Sequence, residues 1–268
     1  MMTDNGQAMQ QYFGKRKLVM WSITLIIVGI YVVTALFVNY DSTSVFTTVP
    51  KGVTWLLANF VPTSKSMATI PAIIIAMIGT VGMSVSASLI GAVFALFAAI
   101  VGSAVTGIYK PLQVATRIFA SFFRNIPLVA WAMILLFSFK QNDLTGFLAL
   151  FFTSFGYLTR AFMETIEDTA GPAIEALKAT GASYWQIVFR GVVPMAATSL
   201  MSWLLYMVEN NVRDATLVGM LTGTGIGFLF DYYYKSFDYD VVGIVILVTV
   251  VVVVALEMIS NKVRRLIM

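Results

Sequence analysis

The sequence contains no cysteine and no histidine, and only 11% of its 268 residues are charged. These absences exclude disulfides, thiolate or histidine metal sites, thiol nucleophiles and Ser-His-Asp triads. A soluble domain of this length carries about 25% charged residues, whereas hydrophobic residues make up 59% of this chain. Most of the surface must therefore face lipid, and the composition predicts an all-α polytopic membrane protein.

Apolar segments divide the chain into six predicted membrane-spanning helices, since a helix needs about 20 apolar residues to cross a bilayer core. The stretch between Lys65 and Lys110 has no charged residue, and we interpret it as a short interfacial piece followed by one long span that Pro71 introduces. The third and fourth spans form a hairpin around a polar turn. The predicted spans are residues 18–40, 72–105, 126–139, 144–159, 192–208 and 241–256.

Lysine and arginine residues predict the orientation of these spans, because cytoplasmic loops carry an excess of both. Most of the 17 lysines and arginines lie on the cytoplasmic side when both termini are cytoplasmic. This orientation places Arg213 on the outer side and the basic tail with Arg264 in the cytoplasm. Residues 1–66 are then a cytoplasmic tail, a retained anchor helix and an outer loop, and residues 67–268 form the main transmembrane domain.

One cytoplasmic segment between spans, residues 164–194, has the composition of a folded loop. Gly171 and Pro172 are expected to begin a short helix, which Gly181 ends. A second helix, residues 182–193, carries too many aromatic residues to lie bare in water. Two short helices with one apolar face form a knob that fits a groove on a partner protein. The alternative is an amphipathic hairpin that lies on the lipid headgroups.

The heptapeptide E-A-L-K-A-T-G within this loop, with a later isoleucine and proline, resembles the EAA loop of ABC importer permeases. The resemblance implies coupling helices that dock into a cytoplasmic ATPase subunit, which would bind ATP and Mg²⁺. No cofactor is expected in this chain, and no enzyme activity of its own. Leu177 stands where the motif has a third alanine. The residues that the resemblance assigns to docking and packing are Glu175, Ala176, Ala179, Gly181, Ile187 and Pro194.

A glycine-bearing segment after the fifth predicted span carries charges near apolar sequence. Glu209 and Arg213 are four residues apart and would meet on one helix face. They could form an ion pair that anchors a helix end, or they could line a pathway, because ionisable groups in membranes face the bundle interior. The nearby glycines permit close backbone approach and non-helical turns, and no Gly-Lys-Ser/Thr follows to form a phosphate loop. These glycines are Gly219, Gly223, Gly225 and Gly227.

The E-x-N-V-R motif at Glu209, the glycine run and the R-N-I-P sequence before the third span together resemble phosphonate importer permeases. The resemblance implies a type I ABC importer permease core in a bacterial inner membrane, surrounded by lipid. We expect the chain to act as a homodimer, because one copy offers one docking knob and a motor of two ATPases needs two. An extracytoplasmic binding protein would deliver phosphonate or a related phosphorus oxyanion such as phosphite. The R-N-I-P residues assigned to the pathway are Arg124, Asn125 and Pro127.

Arg213 and the amides of Asn210 and Asn211 are the residues that we expect to meet such an anion, because the arginine fork matches tetrahedral oxyanions. Glu209 and Asp214 would keep the site from holding the anion too tightly. The alternative is that Arg213 simply pairs with Glu209.

Two other classes of protein remain open. An ion-coupled secondary transporter commonly has inverted repeats and broken helices in both halves, but the sequence shows one broken segment. An intramembrane enzyme would need a metal at Glu164, Glu167 and Asp168, where neither histidine nor a DxxD-type pair is present. We interpret this cluster as a solvated helix end. The small basic excess forms no patch on a soluble face, so nucleic acid is not expected as a partner.

Overall fold

A computed structural model describes the backbone of residues 2–41 and 43–267, and the side chains of these residues apart from 2–13, 65 and 170–173. Within these ranges the chain folds into helices without any β-strand, which confirms the all-helical prediction. The chain divides into two compact units, one that ends at Asn59 and one that begins at Phe60.

The N-terminal unit consists of helix α1, Met2–Phe37, and helix α2, Ser44–Asn59. Residues 14–37 of α1 are long and apolar enough to cross a membrane, in agreement with the predicted first span. Asp41 lies between the two helices and accepts hydrogen bonds from the backbone N and the Oγ1 of Thr43, at 2.9 and 2.6 Å. Helix α2 was not predicted from the sequence.

The second unit contains nine α-helices, counted over its described residues, and one π-helical turn. Three of these helices, α4, α7 and α9, pack against one another and form the centre of the bundle. The helices are α3 (Ser64–Met67), α4 (Ile70–Gly102), α5 (Lys110–Asn125), α6 (Leu128–Phe139), α7 (Asp143–Ala179), α8 (Tyr184–Gln186), α9 (Val193–Thr222), α10 (Gly225–Lys235) and α11 (Tyr239–Ile267), with the π-helical turn (Ile187–Val192) between α8 and α9.

Small residues on α4 allow α7 to approach closely. A Cβ atom added to Gly91 would lie 3.0 Å from the Cβ of Ser154. On the same helix Ala95 and Ala99 are fully buried. Close approach of this kind increases van der Waals contact between helices in a membrane, where the hydrophobic effect does not drive helices together. Helix α4 therefore serves as the central packing surface of the bundle.

The third predicted span is only half of a membrane crossing. Helix α6 has 12 residues, which correspond to about 18 Å, whereas the hydrocarbon core is about 30 Å thick. Helices α5 and α6 meet at 90° and have the length and composition of a span only together. Among the described residues, five helices could cross a membrane alone, or six spans if the bent pair counts as one.

The segment predicted to be a cytoplasmic loop differs from its prediction because α7 passes through residues 171–172 without interruption. Ile166 and Ile174, on either side of this point, are both buried in the same hydrophobic cluster, so packing holds the two halves of α7 in line. Gly181 has a φ of +78°, and it follows the end of α7, so the helix ends at this point as predicted. The second predicted helix then continues directly into α9 through the π-helical turn.

The fifth span is also longer than predicted. Helix α9 extends to Thr222 rather than to residue 208, and Gly223 ends it with a φ of +70°. A left-handed backbone at this position suits glycine, which has no Cβ to collide with the carbonyl that follows. The break in the glycine-bearing segment therefore follows the charged residues, and Glu209 and Arg213 lie inside a continuous membrane helix.

Candidate functional site

A cluster of charged side chains lies between α9 and α11, in the interior of α9 and close to the end of α11. At 1.5 Å per residue, Glu209 is about 24 Å from the start of α9 and about 20 Å from its end. Its carboxylate is almost fully buried, and Oε1 accepts a hydrogen bond from Nη2 of Arg213. The second oxygen, Oε2, lies 3.9 Å from Nη2 of Arg264. The predicted pair of Glu209 and Arg213 therefore exists, with a second arginine beside it.

The structure corrects the predicted positions of the two arginines, which the charge count had placed on opposite sides of the membrane. Helix α11 packs against α9, and Arg213 and Arg264 both approach the carboxylate of Glu209. Arg264 lies near the end of α11, but its long side chain places the guanidinium inside the bundle, close to Glu209.

Arg213 is far more open than its partners. Its side chain is 48% exposed, against 11% for Glu209 and 26% for Arg264. The Nε and Nη2 atoms of Arg264 are buried, and within the described part of the chain they have no hydrogen-bond acceptor. Arg213 thus reaches an open face, whereas Arg264 is mostly buried next to the other oxygen of the Glu209 carboxylate.

The structure does not bring the two predicted amides together beside Arg213. Successive helical residues are about 100° apart, so Asn211 projects about 200° away from Arg213. Asn211 is fully buried, and its Nδ2 donates to Ser88 Oγ at 2.8 Å and Ser154 Oγ at 2.7 Å. Asn210 instead donates to Asp214 Oδ2 at 3.3 Å. Asn211 therefore links three helices, and only Asn210 lies near the exposed face of Arg213.

A ladder of hydroxyl groups on α4 completes this buried network. Ser88 Oγ donates to the carbonyl of Ser84, and Ser84 Oγ is within hydrogen-bond distance of the carbonyls of Thr80 and Asn211, at 2.8 and 3.1 Å. These hydroxyl groups were not predicted to form a hydrogen-bond network. The available signal was the spacing of Thr80, Ser84 and Ser88, four residues apart in an apolar span.

The R-N-I-P residues form the corner between α5 and α6. Ile126 and Pro127 are extended, with ψ values of 120° and 145°, and a Cβ added to Gly156 of α7 would lie 2.5 Å from the backbone nitrogen of Arg124. The side chains of Arg124, Asn125 and Pro127 are exposed at this corner. At this corner the backbone turns by 90° close to α7.

The predicted glycines shape the turn between α9 and α10. A Cβ on Gly227 would collide with the carbonyl oxygen of Thr216, and a Cβ on Gly219 with that of Thr224. Gly225 has a φ of +57°, and the next residue, Ile226, donates its backbone N–H to Thr80 Oγ1 at 2.9 Å. These glycines therefore permit close packing of α10 on α9 and α4.

The predicted coupling residues lie at the end of α7 and in the turn that follows. Glu175, Ala176, Ala179 and Gly181 are exposed, and Ile187 is buried as expected. Pro194, which was expected to pack against the membrane core, is exposed in the first turn of α9.

Two aromatic side chains near this turn are also exposed. Trp185 and Phe189 are 64% and 53% exposed, and their rings stack at 5.7 Å. A capping box starts the short helix that contains Trp185, and in it Ser183 N donates to Gln186 Oε1 at 2.9 Å. Leu177, the residue that replaces the motif alanine, packs on Gly191, where an added Cβ would lie 2.5 Å from its Cδ1. The segment predicted to couple to an ATPase thus packs through Leu177 on Gly191 and exposes the apolar rings of Trp185 and Phe189.

Comparison with known proteins assigns the family. The family described as "Binding-protein-dependent transport system inner membrane component" matches residues 91–266. The chain belongs to this family. Its fold is that of the type I ABC importer permeases, and it is a multi-pass membrane protein, as predicted.

Three curated relatives in this permease family have related names. The phosphate-import permease protein PhnE of Mycolicibacterium smegmatis is 24% identical over 185 residues, 69% of this chain and 35% of the relative. The phosphite transport system permease protein PtxC of Stutzerimonas stutzeri is 30% identical over 152 residues, 57% of this chain and 55% of the relative. The putative cryptic phosphonate transport system permease protein PhnE2 of Escherichia coli K12 is 32% identical over 118 residues, 44% of this chain and 97% of the relative. The matches thus span about a third and about half of the first two relatives.

Solved permease structures share the fold. The MetNI methionine ABC transporter in inward-facing conformations gives a TM-score of 0.67 at 17% identity, over 77% of this chain and 99% of that chain. A bacterial alginate ABC transporter gives 0.60 at 12% identity, over 90% and 94% of the two chains. At these identities the likeness establishes the fold alone.

One further contact in this permease was missed by the sequence analysis. Glu167 Oε1 accepts hydrogen bonds from Arg117 Nη2 at 2.5 Å and from the backbone nitrogen of Ala104 at 2.7 Å. Arg117 Nε donates to the carbonyl of Gly102 at 2.8 Å. Glu167 is therefore not a solvated residue at a helix end, as was predicted. Its hydrogen bonds connect α7 to α5 and to the residues that follow α4. Among the described residues, no group of three or more acidic side chains could hold a metal ion.

Proposed function

We propose that this chain is the membrane subunit of an ATP-driven importer for a phosphorus oxyanion, and that it works as a homodimer. The observation that carries the proposal is the half-exposed side chain of Arg213 in the interior of α9. An arginine at the centre of a membrane helix costs about 2.5–3.5 kcal/mol on insertion scales, and such residues face a bundle interior or a water-filled cavity. In a single copy, 48% of the Arg213 side chain is uncovered.

A second copy of the chain supplies the missing cover. Tyr206, Asn210, Arg213 and Leu217 are spaced by four, three and four residues and therefore share one face of α9. This face is polar in the middle and apolar at its ends. In the proposed homodimer the two faces oppose each other across the pathway, so that each Arg213 meets water and substrate instead of lipid.

The substrate is an anion because the open group of this face is a guanidinium. Arginine forms two parallel hydrogen bonds with phosphonate, phosphite or phosphate, which share the tetrahedral oxyanion geometry. The names of the relatives contain phosphate, phosphite and phosphonate, and we propose this class rather than one member of it. An extracytoplasmic binding protein delivers the anion, and both termini of the chain lie in the cytoplasm.

Coupling to ATP hydrolysis takes place at the exposed turn between α7 and α8. The stacked rings of Trp185 and Phe189 form an exposed apolar surface in the segment that follows Gly181, and an apolar helical knob of this kind fits a groove on a partner. That partner is the cytoplasmic ATPase, which binds ATP and Mg²⁺. Membership of a binding-protein-dependent family supports this assembly and disfavours an ion-coupled carrier.

Co-purification with the ATPase subunit tests the coupling assignment. The variants Glu175→Lys, Gly181→Asp and Trp185→Ala are each expected to lose the ATPase and the ligand-stimulated ATP turnover in liposomes. Trp55→Ala, an exposed tryptophan of α2, serves as the control and should keep both. Retention of the ATPase and of full turnover by the three variants would show that the turn is not the docking surface.

Uptake in reconstituted liposomes tests the pathway assignment. With the ATPase and a liganded binding protein present, Arg213→Gln is expected to reduce the anion imported per ATP at least tenfold while the complex stays assembled. An unchanged rate and an unchanged preference among phosphonate, phosphite and phosphate would remove Arg213 from the pathway.

A further inference from the structure

Arg264, near the end of α11, lies close to Glu209 without a hydrogen bond between them. A pair that serves stability alone normally forms charge-assisted hydrogen bonds of about 2.7–2.9 Å, often two at once. Here the nearest approach of Arg264 Nη2 to Glu209 is 3.9 Å, and Nε and Nη2 have no hydrogen-bond acceptor among the described residues. The guanidinium of Arg264 thus acts on the carboxylate by its charge rather than by a bond.

The charges around Arg213 explain why a second arginine matters. Glu209 bonds to it directly, and Asp214 is the next residue on α9, where Asn210 donates to its carboxylate. Two acids and one base carry a net charge of −1, which would repel an anion. With Arg264 the same group is neutral, and the field at the open face is then set by the nearest cation, Arg213.

The geometry divides the two arginines into different roles. Arg213 donates a hydrogen bond from Nη2 to Oε1 of Glu209, and the rest of its side chain is open towards the proposed pathway. Arg264 lies behind Oε2 of the same carboxylate and is mostly buried. An anion on the open face would therefore contact Arg213, while Arg264 remains on the other side of Glu209.

We propose that Arg264 is a positioning residue for anion transport: by offsetting the charge of Glu209 from behind, it leaves Arg213 able to attract a phosphorus oxyanion. The proposal rests on the proposed function, in which Arg213 meets the substrate. It also assigns a task in transport to the C-terminal helix, whose basic end the sequence analysis used only to orient the chain.

Substrate moved per ATP, measured on the complete importer, tests this role. Liposomes contain the chain with its ATPase and a saturating liganded binding protein, and the probes are phosphite, inorganic phosphate and methylphosphonate. Arg264→Gln is expected to lower uptake per ATP three- to tenfold with ATP turnover and assembly unchanged. Arg264→Lys, which keeps the charge, should stay within twofold of the wild type. Arg265→Gln is the matched control, because Arg265 is the next residue on the same helix and is exposed.

Two double variants separate a charge effect from a structural one. Glu209→Gln combined with Arg264→Gln restores the neutral sum and is expected to recover uptake to within twofold of the wild type. In an Arg213→Gln background, Arg264→Gln should cause no further loss, since Arg264 acts through Arg213. If Arg264→Gln does not assemble, the lysine variant and the two double variants decide the question.

The outcomes that overturn the proposal differ from those that overturn the proposed function. If the wild type imports none of the three anions, the proposed function fails and this inference fails with it. If the wild type imports them but Arg264→Gln matches Arg265→Gln, only the role of Arg264 is refuted. Equal losses of uptake and ATP turnover, or a tenfold loss in Arg264→Lys, would show that Arg264 is only a structural contact.

Discussion

Replacing Asn211 by alanine tests whether its buried hydrogen bonds stabilise the packing of α4, α7 and α9. The change removes the donations from Nδ2 to Ser88 and Ser154. Hydrogen bonds between membrane helices contribute about 0.6 kcal/mol each on average, with a maximum of about 1.7 kcal/mol. Both serine hydroxyls keep their own acceptors, the carbonyls of Ser84 and Leu150, so no buried donor is left unpaired. We therefore expect a loss of about 1–2 kcal/mol in the free energy of unfolding.

Equilibrium unfolding in mixed detergent micelles, followed by tryptophan fluorescence, measures this loss. Asn210→Ala is the matched control, because Asn210 is only half-buried and makes one longer hydrogen bond; its expected effect is below about 0.5 kcal/mol. Asn211→Asp should cost more than alanine, since a carboxylate at the centre of a membrane helix costs about 2.5–3.5 kcal/mol. Equal effects of the two alanine variants would refute the network as a source of stability. A loss of uptake in Asn211→Ala without a change in unfolding would instead favour the substrate contact expected from the sequence.

Three further substitutions test other contacts of the bundle. Gly156→Val should destabilise the protein by about 1–3 kcal/mol in the same unfolding assay, because its side chain would enter the corner at Arg124, whereas Gly79→Ala, with nothing within 4 Å, should change little. Glu167→Gln should lower the free energy of unfolding by about 1 kcal/mol, because it weakens the hydrogen bonds from Arg117 and from the backbone nitrogen of Ala104. The control Glu164→Gln changes an exposed ion pair and should cost less than about 0.5 kcal/mol. Gly181→Ala should lower the stability and ATP-coupled uptake through about 1–2 kcal/mol of left-handed strain, and Gly181→Asn should be milder; equal behaviour of the two would contradict the strain argument.

Apolar run length predicted the helical class and the hairpin of α6 and α7, but not that α5 and α6 together form one bent span. Local rules also located the ends that glycine determines, because a positive φ at Gly181 depends on one residue. The same rules failed at residues 171–172 and 208, where a break was predicted and the helix continues. In both cases packing against the core outweighs the local preference for a turn, as it does for Ile174 beside Pro172.

The candidate site was predictable only within one helix. The pair of Glu209 and Arg213 follows from their spacing of four residues, and the exposed coupling turn follows from its motif. The contact of Glu209 with Arg264 joins residues on different helices, as does that of Glu167 with Arg117. Sequence spacing has no bearing on such pairs, because they depend on how two helices cross.

The sequence by itself determined that the chain is a helical membrane protein, which face of α9 carries charge and that Gly181 follows the end of a helix. These properties follow from composition and helical periodicity, which act within about one or two turns of the chain. Only the tertiary structure decided that Asn211 binds α4 and α7 while Arg213 remains open, and that Arg264 stands behind Glu209. The physical reason is that burial and ion pairing between helices depend on how distant segments cross. The packing of α9 and α11 brings Arg213 and Arg264 to one carboxylate, whereas the local charge pattern had assigned them to opposite sides of the membrane.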